Sequence, residues 1–425
     1  MYFLYTLIQS LLALPLLLLS PKKRLGSFTN RLGFFDIQKL QEPIWIHAVS
    51  VGEVLSIQPL IRHLKQALPN TPIVLSTITS TGQHVASKSK IDALIYFPFD
   101  FNYSVRRALD QVNPKMVIIT ETEIWPNFLR ACRRKKIPVM WINGRISDKS
   151  YPRYLVIRFF LKNILSDYSR IGMQSEIDFH RVISLGADPK KFFSVGNLKY
   201  DIHPLNKALP KNLEQYLVSA QPLWIAASTM PGEEEMVLMA YRQLQKTYPA
   251  LKLLIAPRHP ERFEAVARRL QKNDLPYLRR STMDNDAQRP DIAPVMLLDS
   301  LGELAATFEF ASVVFVGGSL MSHGGHNILE PAFFSKPILF GPHMENFQEI
   351  ANRFLQENAA VQIAETRPVQ SSLEMAEKID AILSDEIYAK NLGSNAKRIV
   401  NENRGATQKT VSLIYEEIQK LQCQN

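Results

Sequence analysis

Three acidic residues in the first half of the chain follow apolar runs, where a strand of a parallel sheet would end. Glu53 comes shortly after the run 44–48, and Glu121 and Glu123 follow the run 116–119. A carboxylate in a poorly hydrated cleft can take a proton from an attacking hydroxyl, and a second carboxylate nearby raises its pKa. An acid in a helix's first turn is also stabilised by the helix dipole without any catalytic role. The residues alone therefore leave Glu53 either a general base or an ordinary first-turn acid.

Two basic residues occupy comparable positions and would suit an anionic ligand. Lys199 lies in the segment GNLKYD, next to a polar stretch at 203–211 that reads as a linker. Arg258 follows Pro257 at the end of the apolar run 251–256. A guanidinium at a strand end can bind a phosphate through two N–H groups at once.

A glycine-rich segment at 315–331, FVGGSLMSHGGHNILEP, begins at the end of another apolar run. Gly317, Gly318 and Ser319 would let backbone N–H groups approach a ligand closely, so they are candidate contacts for a phosphate group.

The end of the same segment predicts the start of a helix. Asn327 is a favourable N-cap residue, Ile328 and Leu329 follow it, and Glu330 stands at the capping-box position. The segment is either a site for a phosphate or a sugar hydroxyl, or an ordinary capped helix after a loop.

These side chains need a scaffold that brings strand ends to one edge, and the apolar pattern predicts one. Predicted strands lie at 44–48, 73–76, 116–119, 139–142, 171–174, 192–195, 223–227, 251–256, 296–298, 312–316 and 337–340. Predicted helices include single helices at 54–68 and 151–165 and a helical end at 373–421. Alternating strands and helices are typical of doubly wound parallel sheets, which bind ligands at the carboxyl ends of their strands.

Length and pattern together predict an α/β protein of the GT-B type, with two doubly wound, Rossmann-like domains facing a cleft and an N-terminal membrane anchor helix. The predicted parts are an anchor at 1–20, an acceptor-binding domain at 21–203, a linker at 204–211, a nucleotide-sugar-binding domain at 212–405 and a C-terminal helix at 406–425 that could cross back to the first domain.

Composition limits the partners. The chain of 425 residues is 46% hydrophobic and 21% charged, which is typical of a globular protein, and its net charge is +10. A basic balance suits anionic lipids or an acidic small substrate. The sequence has no interleaved aromatic and basic motif and no zinc spacing, so a nucleic-acid partner is not expected. Cys132 and Cys423 predict neither a disulfide framework nor a metal site.

The first twenty residues contain no charged side chain, and the basic residues 22–24 follow them. Such a run can just span the hydrocarbon layer, and its basic flank places the rest of the chain on the cytoplasmic side. A secretory signal would carry its positive charge before the apolar run. The run therefore predicts an inner-membrane anchor, and the interior Pro15 leaves open whether it spans the bilayer or enters one leaflet.

The segment 151–165 is rich in Phe, Leu and Ile and also contains Arg153, Arg158 and Lys162. It is either a basic amphipathic helix at a membrane surface or a packed helix whose long basic side chains reach the solvent.

Taken together, the motifs resemble those of the 3-deoxy-D-manno-octulosonic acid (Kdo) transferases, membrane-anchored enzymes of lipopolysaccharide assembly. The matching segments of the first half are HAVSVGE (47–53), TETEIWPN (120–127), NGRISDKS (143–150) and GNLKYD (196–201). Those of the second half are ASTMPGEEE (227–235), PRHPERF (257–263), DSLGEL (299–304), VGGSL (316–320), GGHNILEP (324–331) and GPHMENF (341–347). They cover nearly the whole chain in the order of the family.

The resemblance implies an inverting glycosyltransferase that moves Kdo from CMP-Kdo to lipid IVA, the lipid A precursor, at the cytoplasmic face of the inner membrane. It implies no cofactor and no metal, with CMP-Kdo as a co-substrate. By the same resemblance Glu53 is the catalytic base, and Glu121 and Lys199 assist the transition state. The residues that it assigns to CMP are Pro257, Arg258, Leu301, Gly302, Glu303, Asn327, Ile328, Leu329 and Glu330.

Other functions fit parts of the pattern. One is a different GT-B nucleotide-sugar transferase or a nucleotide-sugar epimerase of the same architecture, although an anchor beside the acceptor domain argues against a soluble epimerase. Another is a catalytically silent membrane-bound scaffold, which would have no need of Glu53, Glu121 and Lys199 together. The sequence leaves open the number of Kdo units added, the acylation of the acceptor and the oligomeric state.

Overall fold

The computed structural model describes residues 5–6, 25–202, 209–218, 221–283 and 293–424. It has two compact units, one formed by Met1–Ile202 with Asn403–Asn425 and the other by His203–Glu402. Apart from Tyr5 and Thr6, the predicted anchor lies outside the described residues, and so does most of the predicted linker. Within the described ranges, no helix has both the length and the hydropathy that crossing a membrane requires.

Unit 1 is a parallel sheet covered by helices. Its strands are β1 (Ile44–His47), β2 (Ile73–Thr77), β3 (Ala93–Tyr96), β4 (Met116–Thr120), β5 (Val139–Gly144), β6 (Arg170–Met173) and β7 (Phe192–Ser194). The helices of its first segment are α1 (Leu25–Arg31), α2 (Val51–Ser56), α3 (Gln58–Ala67), α4 (Ser80–Ala86), α5 (Asn102–Val112), α6 (Pro126–Arg134), α7 (Tyr151–Val156), α8 (Arg158–Leu165) and α9 (Glu176–Ser184).

The strands of unit 1 lie in the order β3-β2-β1-β4-β5-β6-β7, all parallel. Strands β1, β2, β4 and β5 are buried along their whole length, as expected for a parallel sheet with helices on both faces. Alternate residues of β1 belong to different apolar clusters: Trp45 to one, and Ile44 and Ile46 to another. The chain order reverses between β1 and β4, which is where ligands bind in such sheets.

Unit 2 repeats this plan. Its strands are β8 (Leu223–Thr229), β9 (Lys252–Pro257), β10 (Tyr277–Arg279), β11 (Val295–Leu297), β12 (Val313–Val316), β13 (Ile338–Phe340) and β14 (Val361–Gln362). Its helices are α10 (Lys211–Leu217), α11 (Glu233–Thr247), α12 (Phe263–Lys272), α13 (Leu304–Thr307), α14 (Leu329–Phe333), α15 (Gln348–Gln356), α16 (Pro368–Ser384) and α17 (Glu386–Glu402). The strand order is β10-β11-β9-β8-β12-β13-β14, so the chain order reverses between β8 and β12. The predicted pair of doubly wound parallel sheets is confirmed.

The last helix, α18 (Ala406–Gln424), belongs to unit 1. Its side chains Val411, Ile414 and Ile418 are buried in an apolar cluster with Leu60 and Leu64 of α3. Packing of this apolar stripe, rather than helix propensity, holds the helix on the unit.

Two predicted helices are each divided in the structure. The stretch 54–68 forms α2 and α3, because Pro59 lies in the first turn of α3 and cannot continue a preceding helix. The stretch 151–165 forms α7 and α8, which meet at Ile157, whose backbone leaves the helical region. Val156 is 83% exposed and Phe159 is 74% exposed, so this segment presents apolar side chains to the solvent.

Candidate active site

Glu53 lies in the first turn of α2, at the carboxyl end of β1, as the sequence predicts. Its Oε2 accepts a hydrogen bond from the N–H of Val49 at 2.9 Å and lies 3.1 Å from the hydroxyl of Thr120 at the end of β4. The hydroxyl of Ser50 donates to Oε1 at 3.2 Å. The carboxyl group is thus fixed at the point where the chain order of the sheet reverses.

Burial raises the pKa of Glu53 to about 7, and the negative charge of Glu121 adds to this shift. The hydrogen bonds from Val49, Thr120 and Ser50 favour the charged form and act in the opposite direction. Glu53 is 8% exposed, so only a small part of it can meet a ligand. A carboxyl group with a pKa near neutrality can both accept a proton from a hydroxyl and release it again.

Glu121 and Lys199 form an ion pair beside this group. Glu121 directly follows β4 with φ of 52°, a left-handed conformation that is unusual outside glycine, and its carbonyl accepts a hydrogen bond from the indole of Trp141. Its Oε1 lies 3.0 Å from Nζ of Lys199, which belongs to a 3₁₀ turn at Leu198–Asp201. The structure therefore brings together the three residues predicted to be catalytic.

Glu123 is a third acid of this cluster. Burial raises its pKa to about 8, and the charges of Glu53 and then Glu121 add to the shift. The position of Glu123 after the apolar run 116–119 made it a candidate acid, whereas the resemblance assigned a role only to Glu121 of this turn. Thr120, which precedes Glu121 in the sequence TETE, was not predicted as a site residue.

His47, the first residue of the segment HAVSVGE, is structural. It is fully buried and stacks on Phe97 with ring centroids 3.9 Å apart, and its Nδ1 lies 3.0 Å from the hydroxyl of Ser76. Burial lowers the pKa of His47 to about 3, so the ring is neutral at physiological pH. Its carbonyl lies 3.0 Å from the Thr120 hydroxyl, which links β1 to the Glu53 cluster.

In unit 2, the residues predicted to bind CMP follow strands β9, β11 and β12, so they lie at the carboxyl edge of one sheet. Pro257 ends β9, the N–H of Arg258 donates to the carbonyl of Thr229, and the side chain of Arg258 is exposed. Burial raises the pKa of Glu330, whereas a hydrogen bond from Asn327 and the positive charge of Arg258 act to lower it. Arg258, Asn327 and Glu330 are therefore neighbours.

The predicted capping box at this point is wrong in its details. The amide of Asn327 donates to Oε1 of Glu330 at 3.1 Å, and its Oδ1 accepts from the N–H of Leu329 at 3.1 Å. Helix α14 has only five residues and its N-cap residue is Ile328. Because Glu330 bonds to a side chain and not to the backbone N–H of Asn327, part of its carboxylate stays available to a ligand.

The turn of Leu301, Gly302 and Glu303 lies at the same sheet edge, after β11. Leu301 is 70% exposed and Gly302 has φ of 86°. The carboxylate of Glu303 bonds to the guanidinium of Arg280, with Oε2 3.0 Å from Nε and Oε1 3.0 Å from Nη2. The Glu303 side chain is thus held by an internal partner.

The glycine turn differs from the prediction. The N–H groups of Gly318 and Ser319 donate to the carboxylate of Glu233 at 2.7 and 2.9 Å, and the N–H of Leu320 donates to it at 2.9 Å. The N–H of Gly317 donates to the carbonyl of Ala227 at 2.8 Å. Because each predicted phosphate contact already has an internal acceptor, these N–H groups do not form an open anion site.

His326 is a half-buried residue of unit 2 that was not among the predicted site residues. Its ring lies against Gly318, where a Cβ atom would come within 2.8 Å of it, so this position requires glycine. Burial lowers the pKa of His326 to about 4, and the positive charge of Arg258 acts in the same direction. Across the described part of the chain, no group of three or more His, Cys, Asp or Glu side chains is placed to share a metal ion.

Comparison with known proteins agrees with these motifs. A family model described as 3-Deoxy-D-manno-octulosonic-acid transferase (kdotransferase) matches residues 26–202. The chain is 37% identical over 401 residues to a 3-deoxy-D-manno-octulosonic acid transferase of Haemophilus influenzae, a match that covers 93% of this chain and 92% of the relative. It is 31% identical over 355 residues to a transferase of the same name from Rickettsia typhi, covering 83% of this chain and 75% of the relative.

A solved structure with a similar fold is the UDP-GlcNAc 2-epimerase of Neisseria meningitidis bound to UDP-GlcNAc. Its TM-score is 0.59 at 14% identity, and the match covers 88% of this chain and 100% of that chain. At this identity the likeness concerns the fold alone, whereas the match to the Haemophilus influenzae transferase extends over nearly all of both sequences. The chain therefore belongs to the 3-deoxy-D-manno-octulosonic acid transferase family of glycosyltransferases.

Proposed function

We propose that this protein transfers Kdo from CMP-Kdo to a hydroxyl group of lipid IVA, with inversion at the anomeric carbon and with Glu53 as the general base. The observation that carries the proposal is the nearly buried carboxyl group of Glu53, whose pKa is raised to about 7, beside the ion pair of Glu121 and Lys199. Such a group is suited to accept one proton from an alcohol at neutral pH.

In the proposed step, the acceptor oxygen attacks the anomeric carbon of Kdo as its proton passes to Glu53. The bond between that carbon and the phosphate oxygen of CMP breaks, and CMP leaves with the electron pair. The hydroxyl groups of Ser50 and Thr120 hold the carboxylate of Glu53 in one orientation. Lys199 contributes positive charge where negative charge develops, and Glu121 holds its ammonium group in place.

CMP would be held by unit 2. Glu330 can accept hydrogen bonds from two ribose hydroxyls, and the exposed guanidinium of Arg258 can bind the phosphate. Pro257, Leu301 and the backbone of Gly302 would form part of the surface against which CMP packs at the same sheet edge. The glycine turn has no part in this proposal, because Glu233 already occupies its N–H groups.

We also propose that the protein works at the cytoplasmic face of the inner membrane, held there by its N-terminal segment. The ring of Tyr5 lies 6.0 Å from that of Phe160 on α8, so Tyr5 is next to the segment that carries the exposed apolar residues Val156 and Phe159. Arg158 in the same segment would attract an anionic leaflet. The protein would then bind its lipid acceptor at the membrane surface in which that lipid resides.

The direct test is an incubation of the full-length protein with CMP-Kdo generated in situ and lipid IVA, followed by mass spectrometry of the lipid. We expect products heavier than the acceptor by whole Kdo units, and none with the Glu53→Ala variant. An unmodified lipid in the presence of folded protein would contradict the proposal.

Thermal unfolding with CMP or UDP separates this proposal from a UDP-sugar epimerase or transferase. A nucleotide that binds the native state raises the midpoint temperature of unfolding. At a concentration one hundred times its Kd, it increases the free energy of unfolding by about 2.7 kcal/mol. We expect stabilisation by CMP and not by UDP. Stabilisation by UDP alone would favour a UDP-sugar enzyme.

A further inference from the structure

The C-terminal helix α18 packs against α3 and against the 3₁₀ turn at Leu198–Asp201, which contains Lys199. Its buried residue Ile414 belongs to the same apolar cluster as Val54, which follows Glu53, and Leu198, which precedes Lys199. Helix α18 therefore belongs to an apolar cluster whose other members are distant in the sequence and include direct neighbours of Glu53 and Lys199.

Asp201 attaches the start of this helix to the turn that holds Lys199. Its carboxylate accepts hydrogen bonds from the N–H of Gly405 at 2.7 Å and from the N–H of Thr407 at 2.5 Å. Asp201 is buried and is the last residue of the 3₁₀ turn that begins at Leu198. N–H groups at the start of a helix have no acceptor within it, so this carboxylate satisfies donors that would otherwise be buried without a partner.

The other side of the same turn is also fixed. The N–H of Leu198 donates to Oδ1 of Asn143 at 3.0 Å, and the N–H of Lys199 donates to Oδ1 of Asn197 at 2.9 Å. The backbone of Lys199 is thus held between these asparagines on one side and Asp201 on the other. Its side chain is long and rotatable, so its location beside Glu121 depends on where this backbone is held.

We propose that Asp201 is a positioning residue, which holds the ammonium group of Lys199 beside Glu121 by joining the turn at 198–201 to the first residues of α18. This inference rests on the proposed function of Lys199 in the transfer reaction. It assigns the C-terminal helix a part in that reaction, although none of its residues belongs to the predicted site.

A second attachment of α18 provides a matched control. Glu417, near the other end of the helix, accepts a hydrogen bond from Nε of Arg170 on β6 at 2.9 Å. Glu417→Gln weakens the docking of the helix in the same unit without touching the turn of Lys199. Asp201→Asn keeps the shape of the side chain but places an NH₂ group against one of the two N–H donors.

The first test compares steady-state rates of the full-length variants with CMP-Kdo and lipid IVA. We expect Asp201→Asn to lower kcat roughly tenfold to a hundredfold, because displacements of about 1 Å have effects of this order, with KM for CMP-Kdo within about twofold of wild type. Glu417→Gln should keep its kcat. An equal loss of kcat in both variants would mean that Asp201 only stabilises the helix.

A double variant sharpens this result. In the Lys199→Ala background, Asp201→Asn should lower kcat no further, because the group that it positions is absent. An undiminished additional loss would overturn the proposal. Asp201→Ser, which retains one acceptor for the two N–H groups, is a milder variant to use if Asp201→Asn does not fold.

A last measurement does not depend on activity. The reaction of Lys199 with an amine-directed reagent, followed by peptide mass spectrometry, should be severalfold faster in Asp201→Asn than in wild type and unchanged in Glu417→Gln. Equal rates would refute the positioning role even if no transfer were detected. Faster labelling without any transfer by wild type would instead contradict only the proposed function.

Discussion

Glu53 and Glu233 occupy equivalent positions in the two units, yet their surroundings differ. Each acid lies in the first turn of the helix that follows the first strand of its sheet, β1 or β8. Each reaches across the point where the strand order reverses, Glu53 to Thr120 at the end of β4 and Glu233 to the turn at Gly318 after β12. Burial raises the pKa of both carboxyl groups.

The difference lies in the donors. Glu233 accepts from four backbone N–H groups, those of Met230, Gly318, Ser319 and Leu320. Glu53 has one backbone donor, from Val49, and its other partners are hydroxyl groups. Backbone donors cannot turn away, so Glu233 is bound as a fixed part of the loop, whereas hydroxyl donors can reorient when a carboxyl group gains or loses a proton. The same position in the fold can thus carry a structural acid in one unit and a base in the other.

The largest expected effect contrasts these two acids directly. Glu53→Ala should lower transfer by at least about a thousandfold, because the acceptor proton then has no base. Glu233→Gln should retain turnover in the molecules that fold but should lower the free energy of unfolding by about 3 kcal/mol, since the Gln NH₂ group faces backbone donors. Transfer rates and thermal unfolding of both variants measure the contrast.

Glu53→Gln, which replaces the carboxyl group by a neutral group of the same shape, is the control for Glu53→Ala. The proton on Glu53 stabilises the folded state below pH about 4.5, and this contribution is lost as the pH rises to about 7. At pH 8 the wild type therefore contains a buried charge that Glu53→Gln lacks. The Gln variant should be inactive and at least as stable as wild type, and near-normal turnover would remove Glu53 from the role of base.

The sequence could predict the scaffold more fully than the site. Buried strands such as β1 and β4 appear as continuous apolar runs, so both sheets were predictable. Strands β3, β10 and β14 were missed because they are only partly buried, which leaves little apolar pattern, and β10 and β14 are also very short. Pro59 indicates the division between α2 and α3. The spacing of apolar residues alone predicted one continuous helix, because it takes no account of this proline.

The contacts of the site are harder to predict, because they join residues that are distant along the chain. Glu53 follows a strand end and could be recognised as a candidate from its position. The partnership of Glu233 with Gly318 spans 85 residues, and the sequence offers several acids near that strand end with no indication of which one fills the turn. A glycine pair therefore predicted an open site where the fold places an internal carboxylate.

Lys199→Ala should have the next largest effect, a loss of roughly a hundredfold in kcat with little change in CMP affinity. Its ammonium group lies 3.0 Å from Glu121 in unit 1, and its removal takes away positive charge only where the transition state develops negative charge. Steady-state kinetics and CMP titration calorimetry give the two quantities. A variant with weak CMP binding and normal kcat would show that Lys199 acts in binding instead.

Glu330→Ala should act on the donor side and more weakly, raising Kd for CMP by about tenfold. The variant removes an acceptor for ribose hydroxyls, and a hydrogen bond to a charged group contributes about 1.5 kcal/mol or more. Glu303→Ala is a matched comparison, because that carboxylate already bonds to Arg280. If calorimetry finds equal CMP affinity in wild type and Glu330→Ala, Glu330 does not belong to the nucleotide site.

The smallest expected effect is a shift in the pH dependence of kcat/KM. It tests whether the charges of Glu121 and Lys199 act on the pKa of Glu53. A base acts when deprotonated, so kcat/KM should rise with pH and level off above the pKa of Glu53, about 7. The charge of Glu121 raises that pKa, so Glu121→Gln should move the rising limb to lower pH. Lys199→Ala leaves Glu121 without its 3.0 Å cation and should move the limb to higher pH. Shifts in the same direction, or none, would mean that a group outside this cluster titrates. Opposite shifts would assign the limb to the cluster of Glu53 and Glu123, since the charge of Glu121 raises the pKa of both. Loss of the limb in Glu53→Gln, and its retention in Glu123→Gln, would then assign it to Glu53.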